Sequence, residues 1–419
     1  MTTDQVNDVR AVVDVIADRL ASPAHVQGLD HTHGWWPQSL AYGAAGVALL
    51  HIERARAGLA PWQRAHDWLA CAAHGPVISG EDSHLYYGAP SLAFALRAAA
   101  DRPGRYTRAL DTLDRHIATT TRHRLERAHA RVDRGERPAL TEFDAIRGLT
   151  GVGAYLLCRA PHGDLIRAIL VYLVRLTEPV TDGGELLPGW WSDLAPSGRS
   201  SETFPDGHAN NGMAHGIGGP LALLSLAMRG GVTVDGQAEA IRRICAWFDQ
   251  WRQGRFSGPW WPYWVTSEQF RIGRLGAAGP SRPSWCYGTV GLARAQQLAA
   301  LAIGDTARQQ MAEHALFHAL TDSGQLAAIT DLSLCHGYGG LVHIARRAAE
   351  DAIAPDLASC VPELLGAIVP DGTDADHLVT SLFDDVGLLE GATGVALALH
   401  TVQTGTIPIS GWDSCFLIS

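Results

Sequence analysis

A glycine step that recurs seven times limits this chain's fold more than any other feature. Gly43-Ala-Ala-Gly46, Gly88-Ala-Pro-Ser91, Gly148-Leu-Thr-Gly151, Gly216-Ile-Gly-Gly219, Gly288-Thr-Val-Gly291, Gly337-Tyr-Gly-Gly340 and Gly391-Ala-Thr-Gly394 each open an apolar stretch. The six intervals of 45, 60, 68, 72, 49 and 54 residues average 58. A unit of that size holds two helices of roughly 15–20 residues and their loops. A recurring period of this kind reads as a repeat architecture.

The stretches that follow the steps are helix-friendly, as in Val47-Ala48-Leu49-Leu50, Leu221-Ala222-Leu223-Leu224 and Val395-Ala396-Leu397-Ala398-Leu399. Ala, Leu and Arg dominate, and β-branched alternation is scarce. The nearest strand-like run, Val171-Tyr172-Leu173-Val174, sits inside a helical pattern. The class expected is therefore all-α. Glycines at helix starts suit a crowded axis onto which several N-termini point, and they leave backbone N–H groups exposed there. Seven hairpins could stack as an open solenoid or close into a ring. The first and last units are as apolar as the middle ones, which favours a closed α/α toroid with inner and outer helix rings.

The continuous repeat overrides the usual expectation of two or three domains for 419 residues, so residues 1–419 are read as one domain. Two Pro-bearing connections, 186–208 and 254–284, are long and aromatic, with Trp190-Trp191 and Trp260-Trp261-Pro262-Tyr263-Trp264. Most of these tryptophans are expected to pack over outer helices, and a minority could form a lip for a peptide. A net charge of −10 and the lack of a basic, aromatic-interleaved patch argue against nucleic-acid binding. The run from Arg122 to Arg137 is mixed with acids and reads as a solvated helix face. Residues 1–20 are amphipathic and acidic, unlike a signal peptide, and no 18-residue apolar run is present. A cytoplasmic location follows as an expectation, with no membrane segment read in the chain and a membrane-associated complex left open. Seven scattered cysteines, an odd number, read as reduced thiols, five of them as core residues.

Cys286 and Cys335 stand apart because both lie two residues before a step glycine. His336 follows Cys335, and His215 directly precedes Gly216. Neighbouring residues on a regular helix diverge by about 100°, so Cys335 and His336 can share a metal only at an irregular turn, which Gly337 permits. Two thiolates and an imidazole leave one position open on a tetrahedral zinc, the pattern of a catalytic site. The His31-Thr-His33 pair reads as a surface loop rather than a second metal site, and His84, His208 and His314 read as ordinary.

The segments Met213-Ala-His215-Gly-Ile-Gly-Gly219, Ser284-Trp-Cys286-Tyr-Gly-Thr-Val-Gly291, Leu334-Cys335-His336-Gly-Tyr-Gly-Gly340 and Leu389-Glu390-Gly-Ala-Thr-Gly394, with Trp412-Asp413 near the end, resemble the lanthionine synthetase C-like family of lanthipeptide cyclases. The resemblance spans the chain, with Pro90-Ser91 in the second unit as a departure. It implies an α/α toroid with one Zn²⁺ per chain, held by Cys286, Cys335 and His336. It further suggests Asp144, His215, Arg282 and Tyr287 as catalytic residues.

A cyclase of this kind adds a peptide cysteine thiolate to dehydroalanine or dehydrobutyrine, forming a (methyl)lanthionine thioether. His215 is then the expected general acid with Tyr287 its rival, Asp144 orients His215, and Arg282 holds the enolate oxygen or anchors Asp144. The expected partners are a dehydrated precursor peptide with a leader, bound on an outer face or loop lip, and a separate dehydratase. Two other classes compete: a zinc-dependent transferase acting on glutathione or another small thiol, and a non-catalytic scaffold in a modification complex. The intact ligand triad argues against the scaffold.

Overall fold

A computed structural model describes residues 3–26, 34–254, 258–276 and 279–419. The His31-Thr-His33 pair lies outside the described residues. The chain divides into two compact units, each assembled from segments distant in sequence. The first comprises Met1–Ile117, Thr330–Arg346 and Ser359–Asp413, and the second Ala118–Ile329, Arg347–Ala358 and Ser414–Ser419. Four glycine steps fall in the first unit (at Gly43, Gly88, Gly337 and Gly391) and three in the second.

Every step opens a helix. These helices are Ala44–Arg56, Ala89–Ala99, Leu149–Arg159, Gly218–Arg229, Thr289–Ile303, Tyr338–Asp351 and Ala392–Thr404. They are wrapped by protein on all sides: Ala44 through Ala55 is buried without a break. The helices between them bury one face only. In Asp164–Leu176 the buried positions are Ile166, Ile169, Leu170, Tyr172, Leu173 and Leu176, the spacing of one helical stripe. Each fully buried aliphatic side chain of this kind contributes about 1.5–3 kcal/mol. The strand-like run 171–174 is thus helical, and the amphipathic start of the chain is the helix Thr3–Arg19, with Val9, Val12, Val13 and Ile16 buried.

The sequence places the crowding that selects glycine at an axis shared by several helices. The structure places its tightest part inside each repeat, where the preceding loop folds back over the first helical turn. Adjoining steps add to it: Met213 Cγ lies 2.9 Å from a Cβ at Gly291 and Leu334 Cδ1 3.0 Å from one at Gly394. A Cβ at Gly46, Gly291, Gly340 or Gly394 would run into the carbonyl of the residue six earlier, Leu40, Trp285, Leu334 or Leu388. Gly288 also needs its backbone freedom, with φ of 114°.

Neighbouring loops are joined by main-chain hydrogen bonds at one register. The N–H three residues before a step glycine donates to the carbonyl two residues before the next. In the second unit these bonds are Ala145 to Ala214 (3.0 Å) and Met213 to Cys286 (2.9 Å). In the first they are Leu388 to Ala41 (2.8 Å) and Leu40 to Tyr86 (3.1 Å), with Cys335 to Leu389 (2.9 Å) shifted by one residue. The seventh step therefore adjoins the first, as the ring expectation requires.

Strands are few and short among the described residues. β1 (Val180–Asp182) and β2 (Glu185–Leu187) form an antiparallel hairpin. β3 (Trp191–Ser192), β4 (His208–Asn210) and β5 (Trp264–Thr266) form a second antiparallel sheet from the two long connections. Trp190, Trp191, Trp260 and Trp261 are buried, as expected for packing residues, while Tyr263 and Trp264 remain half-buried. His208 is fully buried, its ring stacked on Phe204 at 3.9 Å. No described helix is long and apolar enough to cross a membrane.

Candidate functional site

In the second unit the chemistry gathers where the third, fourth and fifth steps begin. Asp144 is fully buried four residues before Gly148. Its Oδ1 accepts the backbone N–H groups of Arg147 (2.6 Å) and Gly148 (2.7 Å), which fixes the carboxylate against the turn that leads into the helix. Its Oδ2 accepts from His215 Nδ1 at 2.7 Å. With Nδ1 committed to a carboxylate, His215 presents Nε2 outward, and the side chain is about a quarter exposed.

The Tyr287 ring lies 6.5 Å from His215, centroid to centroid, and packs beside Tyr263 (5.3 Å) and Trp264 (6.2 Å). Asn210 Nδ2 donates to the Tyr287 hydroxyl at 3.0 Å. Burial, with the Cys286 charge adding to it and Arg282 opposing, pushes the Tyr263 phenol above its ordinary value. Its hydroxyl donates to the Arg282 carbonyl at 3.0 Å. Arg282 is half-buried, with an Nε that makes no hydrogen bond to the described residues. The buried Cys286 Sγ sits 3.7 Å from Ser284 Oγ, and the Cys286 carbonyl accepts from Met213 and Ala214.

In the first unit a second group gathers at the sixth and seventh steps. Ligand atoms of Cys335, His336 and Glu390 all lie within 4.8 Å of one another. His336 Nδ1 bonds Asp331 Oδ2 at 2.6 Å, which turns Nε2 toward Glu390 Oε1 at 3.4 Å. Burial works to raise the Asp331 carboxyl, but hydrogen bonds from His336 and Ser333 outweigh it and hold the group at about 2. Tyr42 borders the same cluster. Burial, followed by the charges of Glu390, Cys335 and Asp385, pushes its phenol well above the usual range.

A thiol sulfur, an imidazole nitrogen and a carboxylate oxygen at this spacing suit zinc. A carboxylate behind the ligating histidine is the usual support for such a ligand. The structure thus brings together Cys335 with His336, and Asp144 with His215 and Tyr287. Cys286 belongs to the second unit, and Cys335 and His336 to the first.

Glu390, Asp331 and Asn210 were not singled out from sequence. Glu390 had a readable signal, because it directly precedes Gly391 as His215 precedes Gly216 and His336 precedes Gly337. Asp331 and Asn210 share a subtler one, each lying six residues before its step glycine and accepting a main-chain N–H two residues on.

The family described as lanthionine synthetase C-like protein matches residues 34–417. The nisin biosynthesis protein NisC of Lactococcus lactis subsp. lactis is 24% identical over 339 residues, covering 80% of this chain and 77% of that protein. A solved nisin cyclase superposes with a TM-score of 0.77 at 21% identity, covering 98% of this chain and 97% of that one. The shared fold bears out the all-α toroid class expected from the sequence. With a family match running from residue 34 to residue 417, the chain belongs to the lanthionine synthetase C-like family.

Proposed function

We propose that the chain is a zinc-dependent lanthipeptide cyclase, acting as a single domain on a dehydrated precursor peptide. NisC, its relative, is named for nisin biosynthesis, and the matched structure is a nisin cyclase. Cys335 and His336 hold the metal, and Cys286 is the third ligand, placed by its repeat register two residues before Gly288 as Cys335 is before Gly337. When bound, the zinc supplies Lewis acidity that keeps a peptide cysteine sulfur ionised near neutral pH.

The observation that carries the reading is the His215–Asp144 hydrogen bond of 2.7 Å, with its carboxylate fully buried and the His215 side chain about a quarter exposed. Sulfur adds to the β-carbon of the dehydroamino acid, and the displaced π pair moves onto the carbonyl oxygen as an enolate. Asp144 keeps a proton on Nδ1 and stabilises the imidazolium, so Nε2–H delivers its proton to the α-carbon. Tyr287 and Arg282 are the groups proposed to hold the enolate oxygen. Bringing both peptide residues to one place supplies much of the acceleration.

The leader is bound outside the reacting site, a separate dehydratase supplies the substrate, and the protein works in the cytoplasm. The test is mass spectrometry with a thiol-alkylating probe after incubation with a dehydrated, cysteine-containing peptide. Loss of alkylatable thiol at unchanged peptide mass supports ring formation. Thiols that remain alkylatable in the metal-loaded protein's presence reject it, and a glutathione adduct would point to the small-thiol transferase.

A further inference from the structure

We infer that Asn210 is a positioning residue that sets the direction of the Tyr287 hydroxyl, making Tyr287 a hydrogen donor toward the substrate. The inference rests on the reading that Tyr287 faces the reacting peptide. Asn210 ends β4 and is fully buried, held by pairing with Trp264 of β5 and by the Ile217 N–H on its carbonyl (2.9 Å). A side-chain amide can be placed either way round unless a neighbour decides the matter. Here the backbone N–H of Gly212 decides it: that group can only donate, and it lies 3.0 Å from the amide, so the atom facing it is Oδ1.

The amide's other end is therefore Nδ2, and it donates to the Tyr287 oxygen at 3.0 Å. A phenol that accepts from Asn210 does not spend its own hydrogen there. That hydrogen is directed elsewhere, onto the enolate oxygen when substrate is bound. The ring itself is held in place, because a Cβ at Gly212 would collide with Tyr287 Cε1 and Cδ1, and Tyr263 and Trp264 pack against its other sides.

Asn210→Asp tests this directly, since the carboxylate keeps the shape and still accepts from Gly212 but now only accepts on its other oxygen. The Tyr287 hydrogen should turn to it and away from substrate. Ring formation is measured in the zinc-loaded wild type, Asn210→Asp, Tyr287→Phe and the double variant, with metal content and circular dichroism alongside. We expect Asn210→Asp to slow ring formation on the order of ten- to a hundredfold, with zinc and fold retained. The double variant should be no slower than Tyr287→Phe, because the two changes act through one hydroxyl. Asn210→Ala, which removes the donor without adding a competitor, should be impaired less than Asn210→Asp, and this comparison stands if the aspartate variant folds poorly. Asn210→Asp at wild-type rate with Tyr287→Phe slow, an additive double variant, or Asn210→Ala as slow as Asn210→Asp would each overturn the inference alone. Tyr287→Phe at wild-type rate would overturn it together with the proposed role of Tyr287.

Discussion

Each unit carries a histidine directly before a step glycine, and each histidine gives Nδ1 to an aspartate, at 2.7 Å for His215 and 2.6 Å for His336. The surroundings differ. Asp144 is fully buried and its second oxygen is tied by two backbone N–H groups, so the carboxylate cannot reorganise. Asp331 is one-third exposed, and the outer nitrogen of its histidine looks onto a carboxylate beside a cysteine. One register position thus carries a histidine–aspartate pair in two chemistries, the aspartate coming from the neighbouring step for His215 and from the same loop for His336. In the second unit the histidine lies beside the Tyr287 ring and can trade a proton; in the first Nε2 faces other donors and can share a cation.

The sharpest break of this comparison is to remove the histidines. Cys335→Ala and His336→Ala should lose zinc and with it ring formation, by metal analysis after gel filtration. His215→Ala should keep its zinc and lose about 10²–10⁴-fold in rate. Zinc lost equally from all three variants would make the pairs equivalent and remove the distinction. The aspartates refine it. Asp331→Asn should weaken zinc binding about 10–100-fold in chelator competition, whereas Asp144→Asn should leave binding unchanged and lower turnover.

A pH experiment compares the units without touching either site. Burial lowers His51 in the first unit and His208 in the second to about 4, so both are neutral when folded. Their unfolded value is near 6.5, so the stability they contribute is complete above that pH and is lost as pH falls through about 4. Each should cost up to about 3 kcal/mol over that window. His51→Gln should flatten the fall in melting temperature between pH 7 and 4. An unchanged slope would mean the ring is not held neutral.

The smallest effects come from the glycines. Gly291→Ala and Gly394→Ala should destabilise their units by about 1–3 kcal/mol, because the new Cβ meets the Trp285 or Leu388 carbonyl. Gly366, inside Val361–Ile368 with open space around it, should gain roughly 0.5–1 kcal/mol as Ala. Thermal melts separate the two outcomes.

The helical class and the step positions were legible because glycine and apolar spacing are local signals. Cys335 and His336 were legible for the same reason, being adjacent and next to a step. The physical cause of the glycines was legible only in part, since the closest collision comes from a loop that folds back only in three dimensions. Glu390 could have been found by extending to the seventh step the rule that found His215. Asn210 could not, because its role depends on Tyr287, 77 residues away, and on which end of its amide meets Gly212. The His215–Asp144 pairing, across 71 residues, was supplied by resemblance rather than by pattern.

The residues just before the seven step glycines are Tyr42, Tyr87, Arg147, His215, Tyr287, His336 and Glu390. The hydrogen-bonded register of their loops is made wholly by main-chain atoms of the two residues before them. No side chain at these positions is needed to close that register. The scaffold is thus insulated from its own chemistry, and a lineage can exchange a base for an acid, or an arene for a cation, one address at a time without renegotiating the fold. Arg147, exposed at the third address, is where such an exchange would first be felt by a substrate rather than by the protein.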